Sequence, residues 1–379
     1  MENKKYTVVT YGCQMNIHES EKLCGMLEEL GFTKTGKRED ADVIVFNTCC
    51  IRQGAEDRAF GNIGALKPLK KKNKDLIIAV CGCMTQQKDR VEKLKTSYPF
   101  VDIIFGTHNL HLFKEYLLER LKTKKRVIKL IEDEKLMPEQ TNMVRDDEFN
   151  AYVNIIYGCN NYCSYCIVPY VRGRERSRDF NEIVEEVKAL IKKGYKSITL
   201  LGQNVNSYGN DIEDENVNFN ELLKTLASLD GDFEIKFMTS HPKDLKKEVV
   251  DTISQYPKIS KEIHLPVQSG SNRILELMNR RYTVEKYLDT IDYIKMKIPN
   301  VRLTTDIIVG FPGETEEDFE ATCDLIKKVG YDGIFAYMYS VRTGTKAEKM
   351  EGHLPLKIKN ERVNKILKLE KELIKSKEK

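Results

Sequence analysis

The 379-residue sequence has no apolar run long enough to span a bilayer, and no long apolar segment follows its N-terminal Met-Glu-Asn-Lys-Lys. We therefore expect neither a membrane segment nor a secretory signal. A large excess of one charge is also absent: the net charge of +4 permits a nucleic-acid partner without arguing for one. Ten cysteines without a signal indicate a reducing, cytoplasmic compartment, where thiols bind metals rather than form disulfides.

Three cysteines, Cys159, Cys163 and Cys166, lie within eight residues and follow the apolar run 151–157. Thiolates this close in sequence select a soft metal centre. A structural zinc site requires four protein ligands, and no fourth Cys or His lies nearby in the sequence. Three thiolates suit a four-iron cluster whose fourth iron is open to another ligand. We predict an iron–sulfur cluster here, with structural zinc or a disulfide loop as the alternatives.

Over the first third of the chain, short apolar runs alternate with amphipathic segments, which is the βα pattern of a parallel sheet. The pattern predicts strands at 6–10, 43–46, 76–80 and 101–105, and helices at 17–30, 56–69, 85–94 and 110–121. It thus indicates a small doubly wound α/β domain over residues 4–121. A charged linker with one short strand is expected over 122–144, ahead of a further domain.

Three of these predicted strands are followed by cysteines: Cys13; Cys49 and Cys50; Cys81 and Cys83. In open parallel sheets, ligands bind beyond the carboxyl ends of the strands. We therefore predict a second metal–sulfur site at this edge of the sheet. The residues alone leave open the choice between Cys49 and Cys50, and between Cys81 and Cys83. Cys24, within the first predicted helix, is expected to be a buried small hydrophobe.

The βα alternation resumes over residues 145–375 with six predicted strands, at 151–157, 197–201, 233–239, 262–265, 301–309 and 333–339. Six βα units suit a partial (βα)6 barrel, whose active site forms at the carboxyl ends of the strands. The three-cysteine loop lies there, directly after the first strand. Cys323, on a later predicted helix, is expected to pack in the core.

Polar and glycine residues mark the other strand ends, where backbone and side chains can contact a ligand: Gly202, Gln203, Asn204, Ser240, Gln268 and Gly310. Turn chemistry alone is the alternative explanation for them. His241 is interpreted as a loop residue or a substrate contact, not as a metal ligand. Arginines that suit carboxylate or phosphate binding crowd just past the cysteine loop: Arg172, Arg174, Arg176 and Arg178.

Several motifs carry a family resemblance over about residues 5–370. The loop from Cys159 to Cys166 resembles the signature of the radical S-adenosylmethionine (SAM) enzymes, in which SAM occupies the open iron. Gly12-Cys13-Gln14-Met15-Asn16, Asn47-Thr48-Cys49 and Gly82-Cys83 look like the N-terminal domain of the methylthiotransferases. Cys166-Ile167-Val168-Pro169-Tyr170-Val171-Arg172-Gly173 and His264-Leu265-Pro266-Val267-Gln268-Ser269-Gly270 are similar to the MiaB-type tRNA enzymes of that family.

The resemblance implies two [4Fe–4S] clusters and SAM as cofactors. It favours Cys13, Cys49 and Cys83 as ligands of an auxiliary cluster, beside the SAM-cleaving cluster on the three-cysteine loop. From the residues themselves, the strand-end residues and Arg178 are candidates for SAM contact, and Arg172, Arg174 and Arg176 are candidates for RNA contact. An exposed charged loop is the alternative for these arginines.

The implied activity is addition of a methylthio group to carbon 2 of N6-isopentenyladenosine beside the anticodon, with SAM as methyl donor and radical source. The implied partners are the tRNA anticodon stem-loop and an electron donor such as flavodoxin or ferredoxin, for a monomeric enzyme. Methylthiotransferases of threonylcarbamoyl-adenosine or of a ribosomal protein are the alternatives, and a metal-binding RNA-interaction module is the non-enzyme alternative. Family members usually carry a C-terminal TRAM β-barrel. This sequence ends on a lysine-rich amphipathic helix with no β-rich tail, and the two explanations are a truncated sequence or RNA binding without that barrel.

Overall fold

A computed structural model describes residues 4–50, 53–130 and 142–377. Residues 131–141 of the predicted linker therefore lie outside the described residues. The chain divides into two compact units, one comprising Met1–Glu148 with Tyr170–Arg174 and the other Phe149–Pro169 with Glu175–Lys379. Within the described residues, no helix combines the length and apolar character needed to cross a membrane.

The first unit is built on one parallel sheet. Its strands are β1 (Lys4–Thr10), β2 (Phe32–Lys34), β3 (Val43–Thr48), β4 (Ile77–Gly82), β5 (Ile103–Phe105) and β6 (Val127–Lys129). Its helices are α1 (Gln14–Glu29), α2 (Gln53–Gly64), α3 (Lys67–Lys72), α4 (Lys88–Ser97) and α5 (Phe113–Thr123). Strands β3 and β4 are buried throughout, as their continuous apolar sequences require in a parallel sheet covered on both faces.

The strand order is β2-β1-β3-β4-β5-β6, so the direction of winding reverses between β1 and β3. This order confirms the predicted doubly wound sheet, and its reversal point is where such sheets bind ligands. The short edge strand β2 was not predicted. The helix predicted over 56–69 is two helices, because Pro68 lacks a backbone N–H and is tolerated only in the first turn of α3.

The remaining strands are β7 (Asn150–Asn154), β8 (Ile156–Tyr157), β9 (Arg176–Ser177), β10 (Ser197–Leu201), β11 (Glu234–Phe237), β12 (Glu262–His264), β13 (Arg302–Val309) and β14 (Gly333–Met338). The remaining helices are α6 (Val168–Val171), α7 (Phe180–Lys192), α8 (Phe219–Ala227), α9 (Lys247–Gln255), α10 (Asn272–Leu277), α11 (Val284–Lys297), α12 (Glu316–Val329) and α13 (Leu356–Lys377). The last of these is the lysine-rich helix expected from the sequence.

Six parallel strands form the second unit, in two sheets of order β11-β10-β7 and β12-β13-β14. A parallel bridge between Ile235 of β11 and Ile259, just before β12, connects the two sheets. The six strands therefore follow one another in chain order, and the predicted partial (βα)6 barrel is confirmed. The first unit's sheet and this barrel together establish the predicted α/β class.

Helix packing around this barrel follows the helical period. On α7, the buried residues Ile183, Val187 and Leu190 recur at spacings of four and three and join the apolar core of the second unit. Burying each such side chain stabilises the fold by about 1.5–3 kcal/mol. The Asp179 side chain accepts a hydrogen bond from the Glu182 backbone N–H at 2.9 Å and so caps the start of α7.

Candidate iron–sulfur and cofactor sites

The three cysteines predicted for the auxiliary cluster each follow one of three adjacent strands of the first unit. Cys13 precedes α1 directly after β1, and Cys49 directly follows β3. Cys83 begins a short 3-10 helix after β4. Because β1 and β3 flank the reversal of strand order, Cys13 and Cys49 lie at the position where this type of sheet opens a ligand crevice.

Two asparagines of the same motifs connect the loops after β1 and β3. The Asn47 Nδ2 donates to the Asn16 backbone oxygen at 2.9 Å and to Ser20 Oγ at 3.1 Å. The Asn16 Nδ2 donates in turn to the Thr48 backbone oxygen at 3.0 Å. Both asparagine side chains are buried and hydrogen-bonded, so they hold the cysteine-bearing loops in one arrangement.

The two ambiguous cysteine pairs differ in their surroundings. Cys81 packs in the apolar core with Ile77 and Ala79, which occupy the same face of β4. Burial raises the pKa of Cys81 well above its ordinary value. Gly82, with φ of +97°, ends the strand, and Cys83 follows beyond the turn. This placement favours Cys83 over Cys81 as a ligand, and Cys83 stays our prediction.

Cys49 and Cys50 both lie beside the other motif residues. A Cβ placed on Gly12 would lie 3.1 Å from the Cys49 Sγ, so Cys49 packs against the Gly12–Cys13 turn. Cys50 is buried and forms a hydrogen bond with Cys83. Cys49 is kept as the proposed ligand, while Cys50 is a fourth thiol at the same site.

Arg172 was predicted to contact RNA, but its guanidinium is buried in the first unit. Its Nη1 donates to Glu19 Oε1 at 2.7 Å, and its Nε donates to Cys83 Sγ at 3.2 Å. A hydrogen bond from Cys50 and the positive charge of Arg172 lower the pKa of the Cys83 thiol to about 7, against the effect of burial. We therefore correct the RNA assignment of Arg172, because a buried, ion-paired guanidinium is not presented to a phosphate.

Among the residues that the structure describes, no three His, Cys, Asp or Glu side chains are placed to share a single metal ion. A structural zinc centre requires four ligands around one ion. In a four-iron cluster each thiolate binds a different iron, so the sulfur atoms need not converge on one point.

The three-cysteine loop of the second unit is closed by the antiparallel pair β8–β9. Ser164 anchors the loop, because its backbone N–H donates to the Met278 oxygen at 3.0 Å and its Oγ to the Leu277 oxygen at 2.8 Å. Asn279 adds a hydrogen bond from its Nδ2 to the Tyr162 backbone oxygen at 2.9 Å. The end of α10 thus holds the loop in place.

Arg280 is a buried cation beside this loop that sequence reasoning did not identify. Its Nη2 donates to the Pro266 backbone oxygen at 2.7 Å, and its Nη1 lies 3.5 Å from the Cys163 Sγ. Burial raises the pKa of Cys159 to about 11 and raises that of Cys166 as well. Since only thiolates bind iron, assembly of the predicted cluster here would release protons, and a nearby cation would favour that step.

Two predicted SAM contacts form hydrogen bonds within the protein instead. The Asn204 Nδ2 donates to Asp244 Oδ2 at 2.7 Å. Arg178 is buried, and its Nη1 donates to the Asn154 backbone oxygen at 2.7 Å and to Glu186 Oε2 at 2.8 Å. We reassign Arg178 from SAM to this internal ion pair.

The predicted glycine contacts also have protein neighbours. A Cβ on Gly202 would lie 2.4 Å from Ile156 Cγ2, so this glycine accommodates core packing. The backbone N–H of Gly310 donates to Glu314 Oε2 at 2.6 Å. Gln203 follows β10 and is half-buried.

Four other side chains at the strand ends present polar atoms that have no hydrogen-bond partner within the described chain: Ser240 Oγ, His241 Nε2, Gln268 Oε1, and both side-chain polar atoms of Asn206. Their residues are 5–8 % exposed. A buried polar group left without a partner is costly, so such atoms mark a place for a polar ligand. Ser240 and Gln268 were among the predicted SAM contacts. Asn206 was not, and His241 was considered only as a loop residue or substrate contact.

Backbone strain coincides with two of these strand ends. Thr239 and Gln268 have φ of +69° and +73°, a region that side-chain-bearing residues seldom adopt. Burial, followed by the charges of Arg280 and Lys243, lowers the pKa of His241 to about 2, so its ring is neutral. The His241 Nδ1 accepts from the Lys243 backbone N–H at 3.2 Å, so its Nε2 carries the proton and can donate to a ligand.

The two other arginines predicted to contact RNA have more exposed positions than Arg172. Arg174 is exposed, and Arg176 is half-buried on β9. Cys24 and Cys323 are buried in the apolar cores, as predicted. No sequence signal distinguished Glu19 or Arg280, because their roles depend on partners more than 100 residues away.

Two family models match the chain. The radical SAM superfamily matches residues 153–326, and the uncharacterized protein family UPF0004 matches residues 5–106. Relatives named tRNA-2-methylthio-N(6)-dimethylallyladenosine synthase include one from Clostridium botulinum strain Hall, 54 % identical over 97 % of this chain and 82 % of the relative. Another, from Caldicellulosiruptor saccharolyticus, is 52 % identical over 98 % of this chain and 79 % of the relative.

Solved structures resemble the fold at low sequence identity. The radical SAM methyltransferase TsrM from Kitasatospora setae has a TM-score of 0.65 at 13 % identity, over 92 % of this chain and 77 % of that protein. The cobalamin-dependent SAM radical enzyme OxsB has a TM-score of 0.59 at 14 % identity, over 97 % and 56 %. At this identity the likeness concerns the fold alone.

Proposed function

The chain belongs to the methylthiotransferase family of radical SAM enzymes, in its tRNA-2-methylthio-N6-dimethylallyladenosine synthase type, and on that premise we propose its reaction and its sites. The enzyme adds a methylthio group to carbon 2 of N6-isopentenyladenosine beside the tRNA anticodon. Iron–sulfur clusters and SAM are the cofactors that this family uses. For this chain we further propose two [4Fe–4S] clusters. The sequence identity of more than 50 % over nearly the whole chain carries the proposal.

In the proposed chemistry the two thiol sets have separate roles. Carbon 2 of an adenine is an unactivated aromatic C–H that no side-chain base removes at neutral pH, so a cofactor-derived radical is required. When bound, the cofactors supply that radical at the Cys159, Cys163 and Cys166 loop and sulfur at the second cysteine set. We assign that second set to Cys13, Cys49 and Cys83.

The SAM site is proposed at the strand ends of the second unit. The partnerless polar atoms of Asn206, Ser240, His241 and Gln268 are suited to hydrogen-bond the ribose, amino and carboxylate groups of SAM. Because these atoms are buried, they also exclude water from the ligand and hold it in one orientation. Arg280 supports the loop from the other side through its contacts with Pro266 and the Cys163 sulfur.

Arg174 is the remaining exposed candidate for an RNA contact, with Arg176 beside it. A guanidinium on the surface can bind phosphate through two parallel hydrogen bonds. We further propose that the enzyme acts as a monomer in the cytoplasm and takes electrons from a flavodoxin or ferredoxin.

Iron counting and SAM cleavage test the two-cluster assignment. Anaerobically reconstituted protein should bind about eight irons per chain. A Cys13/Cys49/Cys83 triple alanine variant should keep about half of the iron and still form 5′-deoxyadenosine from SAM under dithionite. Loss of all iron and of SAM cleavage in this variant would refute separate roles, and stoichiometric zinc would favour a metal-binding RNA module.

Mass spectrometry of tRNA nucleosides tests the substrate. A strain that lacks this protein should accumulate N6-isopentenyladenosine in place of its 2-methylthio derivative. Restoration by the wild-type chain but not by the triple alanine variant is the matched control. Normal levels of the derivative in the deletion strain would point to a different methylthiotransferase substrate.

A further inference from the structure

We propose that Arg172 is a positioning residue of the auxiliary cluster, which donates a hydrogen bond to the sulfur of Cys83 and raises the reduction potential of the cluster. The inference rests on the proposed auxiliary site and adds to it a residue outside the three cysteine motifs. Arg172 lies 89 positions after Cys83, in a segment that the sequence associates with RNA.

The fold places the Arg172 guanidinium within the first unit. Tyr170–Arg174 groups with that unit although the residues on either side of it belong to the other. Thr107 Oγ1 donates to the Val171 backbone oxygen at 2.9 Å and secures the segment. Arg172 is 4 % exposed, so its charge is held away from water.

Glu19 orients the guanidinium. Its two carboxylate oxygens accept from Arg172 Nη1 at 2.7 Å and from Nη2 at 3.2 Å, which is the two-point geometry that fixes an arginine plane. Nη2 also donates to Asn16 Oδ1 at 3.3 Å. With both terminal nitrogens held by α1, the Nε–H points to the Cys83 sulfur at 3.2 Å.

The electrostatic consequence follows from the charge on the sulfur. A thiolate that ligates iron carries more negative charge when the cluster is reduced, so a donor at that sulfur stabilises the reduced form. The ion pair with Glu19 keeps the guanidinium in place but leaves its Nε–H directed at the sulfur. Removing this donor should therefore shift the potential of the auxiliary cluster to a more negative value.

The test isolates the auxiliary cluster by using a Cys159/Cys163/Cys166 triple alanine background. In this background we compare Arg172 with the Arg172→Gln variant, and measure the midpoint potential by EPR-monitored titration together with iron content. Since Arg172→Gln leaves Glu19 buried without its partner, an Arg172→Met/Glu19→Met variant removes both charges and guards against misfolding. Arg174→Gln, two residues away and exposed, is the matched control.

We expect both Arg172 variants to titrate at a more negative potential than the background protein, with Arg174→Gln unchanged. The potential of Arg172→Lys should lie between those of the background protein and Arg172→Gln, because an ammonium keeps the charge but not the directed Nε–H. A folded double variant with full iron and an unchanged potential would overturn the inference and show that Arg172 serves packing alone. Failure of the background protein itself to bind a four-iron cluster would instead refute the auxiliary site.

Discussion

Replacing Gly82 with alanine should prevent assembly of the proposed auxiliary cluster while leaving the proposed SAM-cleaving cluster intact. Gly82 has φ of +97° and ψ of −165°, a conformation that is essentially restricted to glycine. An added Cβ would lie 2.3 Å from the Thr48 backbone oxygen and 2.6 Å from Asn47 Oδ1. The clash is with backbone of the neighbouring strand β3, which cannot move aside as a flexible side chain could.

Two costs make up the expected destabilisation. The left-handed backbone costs about 1–3 kcal/mol for a residue with a side chain, and forced overpacking costs about 1–3 kcal/mol more. A loss of about 2–6 kcal/mol is a large part of the stability of a single domain. The fold can relieve it only by moving β4 away from Thr48 and Asn47, and this displaces Cys83.

Calorimetry of the unfolding transition and analysis of bound iron test this prediction. The unfolding midpoint of the first unit should fall by at least about 4–8 °C, and bound iron should fall by about half. Gly61→Ala is the matched control, because Gly61 is exposed on α2 with no atom within 4 Å of its added Cβ. It should be neutral or stabilise the protein by up to about 1 kcal/mol. A Gly82→Ala protein with full iron and an unchanged midpoint would refute the reasoning.

Three further predictions concern single side chains. Ser240→Ala should weaken SAM binding about tenfold in calorimetric titration, because one hydrogen bond to SAM is lost. The stability of the protein should not fall, since the Ser240 Oγ has no partner within the described residues. Unchanged affinity would show that SAM binds elsewhere. Arg178→Met should cost about 3 kcal/mol because it breaks the buried ion pair of Arg178 with Glu186, yet SAM affinity of the folded protein should not change; denaturant titration and SAM binding separate these effects. Cys81→Ala should retain all bound iron and cost about 1–2 kcal/mol as a core truncation, whereas Cys83→Ala should lose about half of the iron; equal losses in the two variants would contradict the choice of ligand.

The sequence by itself determined the chemistry and the layout of this protein. Thiol spacing is a local property, so the loop from Cys159 to Cys166 indicates a cluster without knowledge of the fold. Hydrophobic periodicity is also local, and it predicted the doubly wound sheet and the six-stranded partial barrel. Short or proline-interrupted elements such as β2 and α3 were missed, because an edge strand of three residues carries too little pattern.

The tertiary structure decided which side chains meet. Ile77, Ala79 and Cys81 face one core because side chains alternate along β4, and only the turn at Gly82 explains why Cys83 leaves that face. The arginines after the cysteine loop look alike in sequence. Arg172 is nevertheless buried against Glu19, while Arg174 is exposed. Such partners are chosen by long-range packing, which no local pattern of residues encodes.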